Sequence, residues 1–133
     1  MATEINIALA NLQADSVGAD LNSGFIDIYD GTQPADPSDP PDGTLLVSCA
    51  LNSDAYGAAS GGIAAKNGTV SGVAVANGTA VYAQQRNAAN TRWMYEPVVM
   101  AAPAAGVVSL DNTTIAINDV VTVTVSTVKQ PTA

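Results

Sequence analysis

The chain of 133 residues contains no histidine, a single cysteine and only four basic residues. Without histidine it lacks the most frequent general base and the most frequent metal ligand of enzymes. Cys49 has no second cysteine to pair with, and its apolar, strand-like surroundings (TLLVSCAL) predict a buried, inert thiol. These absences predict a protein that is not an enzyme, with no catalytic residue, no cofactor and no structural metal.

Positive charge is scarce as well, because twelve acidic residues outnumber the basic ones and the net charge is −8. Phosphate backbones and anionic membrane surfaces are bound by clustered Lys and Arg side chains. Four scattered cations therefore predict no nucleic-acid partner and no membrane partner. The acidity favours a soluble protein kept apart by self-repulsion, or a protein that docks on a basic surface.

Carboxylates leave two kinds of chemistry open. A pair of them is sufficient for glycoside hydrolysis, although most of these acids lie beside turn residues, where they are solvated. Calcium also prefers oxygen ligands, but the spacing here does not match an EF-hand loop, and Asp beside Pro is ordinary turn chemistry. We interpret the acidic segment as a solvated loop, with calcium binding as the alternative. Its aspartates are Asp27, Asp30, Asp36, Asp39 and Asp42.

The N-terminal segment has the pattern of a short amphipathic helix over residues 4–16, with Thr3 as N-cap and Gly18 as stop signal. Such a stripe usually faces the core of its own domain. The alternative is a docking arm, residues 1–17, whose stripe contacts a neighbouring copy or another protein. The apolar residues at helical spacing are Ile5, Ala8, Leu9 and Leu12.

From Gly24 onward the apolar period changes to two, which predicts β-strands. FIDIY and TLLVSCAL flank a loop over residues 30–43, and the run VVTVTVSTV alternates Val with Thr or Ser. Asn-Gly pairs at 67–68 and 77–78 predict two-residue hairpins. We therefore predict one domain over residues 1–133: all-β, an antiparallel β-sandwich or flattened barrel of about eight strands with one short N-terminal helix. The loop prolines, which cannot donate ladder hydrogen bonds, are Pro34, Pro37, Pro40 and Pro41.

One aromatic pair is singled out by its spacing. Trp93 and Tyr95 lie two residues apart in RWMYEP, and therefore on one face of a strand. Such a pair can stack on a sugar or anchor a contact with another protein. The interpretation we favour is nevertheless core packing, because this is the only dense aromatic site in the sequence.

The segment GFIDIYDGTQPADPSDPPDGTLLVSCAL resembles a family of small proteins encoded by tailed bacteriophages and prophages. In that family a short N-terminal helix precedes a Tyr-Asp/Ser-Gly-Thr-Gln-Pro pattern, a variable loop and Gly-Thr-Leu-Leu. The likeness continues through AYGAASGGIA, NGTAVYAQQRN and SLDNTTIAINDVVTVTVSTV, whereas TRWMYEPVVMAAPA departs from it. The matching residues are Ile28, Tyr29, Asp30, Gly31, Thr32, Gln33 and Pro34, then Gly43, Thr44, Leu45 and Leu46.

The resemblance implies a non-enzymatic virion structural protein, assembled in the bacterial cytoplasm, whose expected role is capsid decoration or cementing. Its expected partners are the major capsid protein or other virion proteins, and further copies of itself, with a trimer as one oligomer. The alternative is a tail, neck or fibre-associated component with an adhesive role. Stiff loops lose little entropy on docking, which suits a decoration protein that must hold fast without chemistry. The predicted interaction residues are Ile5, Leu9, Leu12, Pro34, Pro37, Pro40, Pro41, Trp93 and Tyr95.

Overall fold

The computed structural model describes residues 6–100 and 108–129, which form one helix and eleven short strands. The helix α1 spans Ile7–Asp20. The strands are β1 Phe25–Tyr29, β2 Leu45–Ala50, β3 Ile63–Ala65, β4 Val70–Val73, β5 Gly78–Thr79, β6 Tyr82–Arg86, β7 Trp93–Met100, β8 Val108–Leu110, β9 Thr114–Ile115, β10 Val120–Val125 and β11 Thr127–Lys129. No helix in these residues is both long enough and apolar enough to span a membrane.

Seven strands form one sheet in the order β2-β1-β6-β7-β8-β10-β4, and β11–β3 and β5–β9 form two small sheets. The two ends of the large sheet approach each other: the backbone nitrogen of Val75, just after β4, donates to the carbonyl of Leu46 in β2 at 2.8 Å. The sheet is therefore nearly closed into a barrel, which confirms the all-β prediction. One pair of neighbours, β7 and β8, is parallel, so the sheet is mixed rather than wholly antiparallel.

The interior of the barrel follows the predicted alternation of β1. Ile26 and Ile28 are fully buried, and Ile26 lies opposite Cys49 of β2. Burial raises the pKa of the Cys49 thiol to about 12, which keeps it protonated and unreactive. The predicted buried thiol is confirmed.

The prediction of two hairpins at the Asn-Gly pairs is wrong. Asn67 and Gly68 separate β3 from β4, but β3 pairs with β11 and β4 pairs with β10. Gly78 belongs to β5, which pairs with β9. An Asn-Gly pair permits the positive φ of a tight turn, as Gly68 shows with φ 66°, but the C-terminal strands supply the partners instead. The chain turn after β6 does join paired strands, β6 and β7.

The helix begins and ends later than predicted. Asn6 is its N-cap, with a side chain that accepts a hydrogen bond from the Leu9 nitrogen at 2.9 Å, and Thr3 lies outside the described residues. Gly18 is inside the helix rather than at its end. A Cβ atom there would lie 3.1 Å from Cβ of Tyr56, so this glycine serves close packing and not termination.

The helix packs on β3 and β11 with a face of small residues. The buried positions are Ala10, Ala14 and Gly18, spaced four apart. Leu9 and Leu12 of the predicted stripe point away from the barrel and are 43% and 62% exposed, while Ile5 lies outside the described residues. The interpretation that this stripe faces the home core is wrong, because small side chains allow the helix a closer approach to the barrel than leucine would.

Candidate functional site

Strands β1, β6 and β7 are adjacent, and their shared outer face carries most of the aromatic residues. The strand register aligns Phe25 with Arg86 and Arg86 with Trp93 in one row. A second row contains Asp27, Gln84 and Tyr95, and a third contains Tyr29, Tyr82 and Pro97. Residues 30–43, here called the Pro/Asp loop, fold back over this face.

Two copies of the tripeptide Asp-Gly-Thr close the loop at its base. Asp30 Oδ1 accepts a hydrogen bond from the backbone nitrogen of Thr44 at 2.7 Å. Asp42 Oδ2 accepts one from the backbone nitrogen of Thr32 at 3.1 Å. The bonds are reciprocal, so each tripeptide caps the other. We call this pair of contacts the clasp.

The two central glycines of the clasp allow the two chain segments to touch. A Cβ atom on Gly43 would lie 2.4 Å from the backbone nitrogen of Gly31, and Gly43 has a φ of 87°. Both the close approach and the left-handed conformation exclude ordinary side chains. The closed base therefore depends on glycine at these positions.

The tip of the loop is held by the predicted aromatic pair. Trp93 Nε1 donates to the carbonyl of Pro37 at 2.8 Å, and the Tyr95 hydroxyl donates to the carbonyl of Asp39 at 2.7 Å. Trp93 and Tyr95 are therefore not part of the buried core, and their hydrogen-bond donors are already used within the protein. Their polar atoms are used to fix the loop, and their rings remain half-exposed.

A tyrosine cluster fixes the loop between its base and its tip. The Tyr82 hydroxyl donates to the carbonyl of Asp42 and accepts from the nitrogen of the same residue at 2.7 Å. The Tyr82 ring stacks on Tyr29 at 5.4 Å between centroids and meets Tyr95 edge-on at 5.7 Å. Burial raises the pKa of the Tyr82 and Tyr95 phenols, so they stay protonated donors.

The structure therefore unites two sets of predicted residues that the sequence placed separately. The loop prolines and the aromatic pair belong to one site, while Leu9 and Leu12 of the helix do not. Pro37 and Pro40 are exposed, and Pro34 and Pro41 are half-buried. The clasp was missed, although the repeated Asp-Gly-Thr tripeptide is a visible signal for it.

An ion pair lies on the same outer face, close to the loop. Asp27 Oδ2 accepts from Arg86 Nε at 2.7 Å, and Asp27 Oδ1 accepts from the Ser48 hydroxyl at 2.5 Å. The Arg86 guanidinium also lies over the Phe25 ring, 4.3 Å from its centroid. Between this ion pair and the loop is a cavity of about 390 Å³.

The inner face of the same strands holds a buried polar network. Gln85 donates to Glu96 and accepts from the Tyr56 hydroxyl, which lies 2.8 Å from the Ser126 hydroxyl. Burial raises the pKa of the Glu96 carboxyl from 4.5 to about 7, because the charged form loses its hydration. The network places a carboxyl group inside the barrel.

A second cavity, of about 590 Å³, lies between the C-terminal half of α1 and strands β6 and β7. Apolar atoms of Val17, Leu21 and Met94 contribute to its lining. The ion pair of Asp20 with Arg92, at 2.9 Å, also borders it and lowers the pKa of the Asp20 carboxyl.

Within residues 6–100 and 108–129, no group of three or more His, Cys, Asp or Glu side chains is placed to hold a metal ion. The loop aspartates Asp30 and Asp42 accept hydrogen bonds from the loop's own backbone instead. No protein-family model, curated protein or solved structure matches the chain. The resemblance to phage virion proteins therefore stays a prediction.

Proposed function

We propose that this protein is a non-enzymatic structural component of a bacteriophage virion, which decorates the capsid shell by binding the major capsid protein. The observation that carries the proposal is the outward face of α1. Leu9 and Leu12 are 43% and 62% exposed there, although the helix is already attached to its own domain. The sequence resemblance supports the choice of a phage capsid as partner.

The division of the helix into two faces supports a docking role. Ala10, Ala14 and Gly18 hold the helix on the barrel, and the leucines on the other side do not belong to the buried core cluster. Adjacent exposed apolar side chains on a helix are characteristic of an interaction surface. The net charge of −8 favours a partner surface with basic residues around an apolar centre.

The Pro/Asp loop supports a second contact. It is fixed at its base by the clasp and at its tip by Trp93 and Tyr95, and it presents Pro37 and Pro40 to solvent. A loop that is ordered before binding loses little further entropy on docking. This property suits a protein that must remain attached at many sites without covalent chemistry.

Self-association is proposed through a separate apolar surface. Val73 of β4 and Val120 of β10 are register partners and are both exposed, and Val75 and Ile117 lie exposed in the adjoining segments. A second copy of the chain, in a dimer or a trimer, would cover them. Light scattering of the purified protein tests this part, and a strictly monomeric mass at high concentration would contradict it.

Electron cryomicroscopy of the virions that contain this protein tests its location. Density for the barrel distributed over the shell supports decoration. Density confined to the tail or neck would overturn decoration and favour the alternative of a tail, neck or fibre-associated component. Absence of the protein from mature particles would overturn both.

Paired variants test the helix surface. Leu9→Gln together with Leu12→Gln should abolish binding to undecorated capsids while the free domain remains folded. The control is Val81→Gln, because Val81 is exposed to the same extent as Leu9, 43%, but lies outside the helix. Equal capsid binding by the helix variant and the control would contradict the docking role.

A further inference from the structure

The cavity under the Pro/Asp loop is lined by two aromatic rings and two proline rings. The side chains of Tyr29 and Trp93 come from the sheet, and Pro40 and Pro41 come from the loop. Its volume of about 390 Å³ falls within the usual range for small-molecule sites. Ring faces of this kind pack against the apolar C–H face of a small cyclic ligand.

Polar groups complete the cavity. Asp27 and Gln84 line it and are each only 4% exposed, and Arg86 and Asn90 line it as well. Each Asp27 oxygen accepts one hydrogen bond from the protein and retains a lone pair for another donor. Among the described residues, the Arg86 guanidinium donates a hydrogen bond only through Nε, so its terminal amines are available.

From this combination we propose that the cavity binds a neutral sugar. A sugar hydroxyl is both donor and acceptor, so it can donate to Asp27 and accept from Arg86 or from the side-chain amides of Gln84 and Asn90. The proposal does not depend on where in a virion the protein resides. It assigns a binding role to polar residues on the outer face in addition to the rings of Tyr29 and Trp93.

Charge and shape favour this ligand class over two others. The Asp27–Arg86 pair is neutral as a unit and the chain carries −8 overall, which disfavours an anionic ligand. A proline-rich peptide would need the aromatic rings as an open groove. Here the chain's own Pro40 and Pro41 already lie against that site.

The test uses Trp93, the single tryptophan, as a fluorescent reporter in the cavity wall. The probes are the methyl glycosides of glucose, galactose, mannose and N-acetylglucosamine, with methyl glucuronide as the anionic probe and a proline-rich peptide as the polymer probe. At least one neutral glycoside should change the emission in a saturable manner. Saturation only by the glucuronide or only by the peptide would overturn the proposal, as would saturation by none.

A matched pair of variants locates the binding. Asn90 and Asn118 are both exposed and have positive φ, 55° and 72°, which glycine also adopts, so Asn90→Gly and Asn118→Gly remove a side chain without backbone strain. Asn90→Gly should weaken sugar binding about five-fold through the loss of one hydrogen bond. Asn118→Gly, outside the cavity, should leave it unchanged. Equal affinities for the two variants would contradict the assignment to this cavity.

Discussion

The outward face of α1 and the outer face of β1, β6 and β7 differ in their exposure to solvent. On the sheet, a loop covers the aromatic side chains and takes up their hydrogen-bond donors. On the helix, Leu9 and Leu12 remain 43% and 62% exposed. The contrast teaches that apolar spacing predicts a face but does not predict whether a segment of the chain covers that face.

The largest effect on the covered face is expected from a substitution in the clasp. Gly43→Ala should lower the free energy of unfolding by about 4 kcal/mol, the sum of left-handed backbone strain and a clash with the Gly31 nitrogen. Urea unfolding measures the change. The control is Gly61→Ala: φ there is 61° but no atom lies within 4 Å, so only about 1 kcal/mol should be lost. Equal losses would contradict the close approach of Gly43 to the Gly31 nitrogen.

Glu96, on the inner face of β7, should make the stability of the barrel depend on pH. Its pKa is raised from 4.5 to about 7, so its stabilising protonated state is fully present below pH 4.5 and is lost as the pH rises to about 7. The loss should approach 3 kcal/mol over that window. Glu96→Gln, which cannot ionise, should remove this part of the pH dependence in urea unfolding. Parallel pH profiles for the variant and the wild type would contradict the raised pKa.

The attachment of the loop tip has a smaller expected effect. Tyr95→Phe removes the hydrogen bond to the Asp39 carbonyl and should lower the free energy of unfolding by about 1 kcal/mol. Tyr29→Phe is the control, because the Tyr29 ring stacks on Tyr82 but its hydroxyl has no hydrogen-bond partner among the described residues. A larger loss for Tyr29→Phe than for Tyr95→Phe would contradict the role of the tip contact.

Substitutions on the exposed leucine face of α1 should hardly change the stability of the domain. Leu12→Gln should alter the free energy of unfolding by less than about 0.5 kcal/mol, since the side chain is 62% exposed. The inward Ala14→Leu should cost about 2 kcal/mol by overpacking the contact between helix and barrel. If Leu12→Gln proved as destabilising as Ala14→Leu in urea unfolding, the leucine face would be part of the core.

Removal of calcium should have no effect. Asp30 and Asp42 accept hydrogen bonds from loop backbone nitrogens, so the loop needs no cation to remain closed. A chelator should therefore leave the melting temperature measured by circular dichroism unchanged. A shift of several degrees, restored by added calcium, would make the Pro/Asp loop a metal site.

Local patterns predicted the parts of the fold that depend on a single segment. The alternation around Ile26 and Ile28 identified β1, and Val121 and Val123 of β10 are buried as their spacing required. Pairing partners could not be predicted, because β3 and β4 meet strands from the C-terminal part of the chain. The helix face was predicted wrongly because leucine outweighs alanine and glycine in a hydrophobic pattern, whereas close packing selected Ala10, Ala14 and Gly18.

The candidate site was predicted only as separate pieces. Spacing placed Trp93 and Tyr95 on one face, and composition marked the proline loop. Neither could indicate that backbone carbonyls of Pro37 and Asp39 are the acceptors for those aromatic donors. Such contacts involve main-chain atoms, which every residue possesses, so no residue type marks them in the sequence.

The buried thiol has a practical consequence for measuring how fast the barrel opens. Cys49 is the single cysteine, is fully buried, and has a pKa of about 12, so the native protein should not react with a colorimetric thiol reagent. Each molecule becomes modifiable only when strands β1 and β2 separate from the interior. With excess reagent, the labelling rate would therefore follow the opening of the barrel and serve as a chemical clock for its kinetic stability.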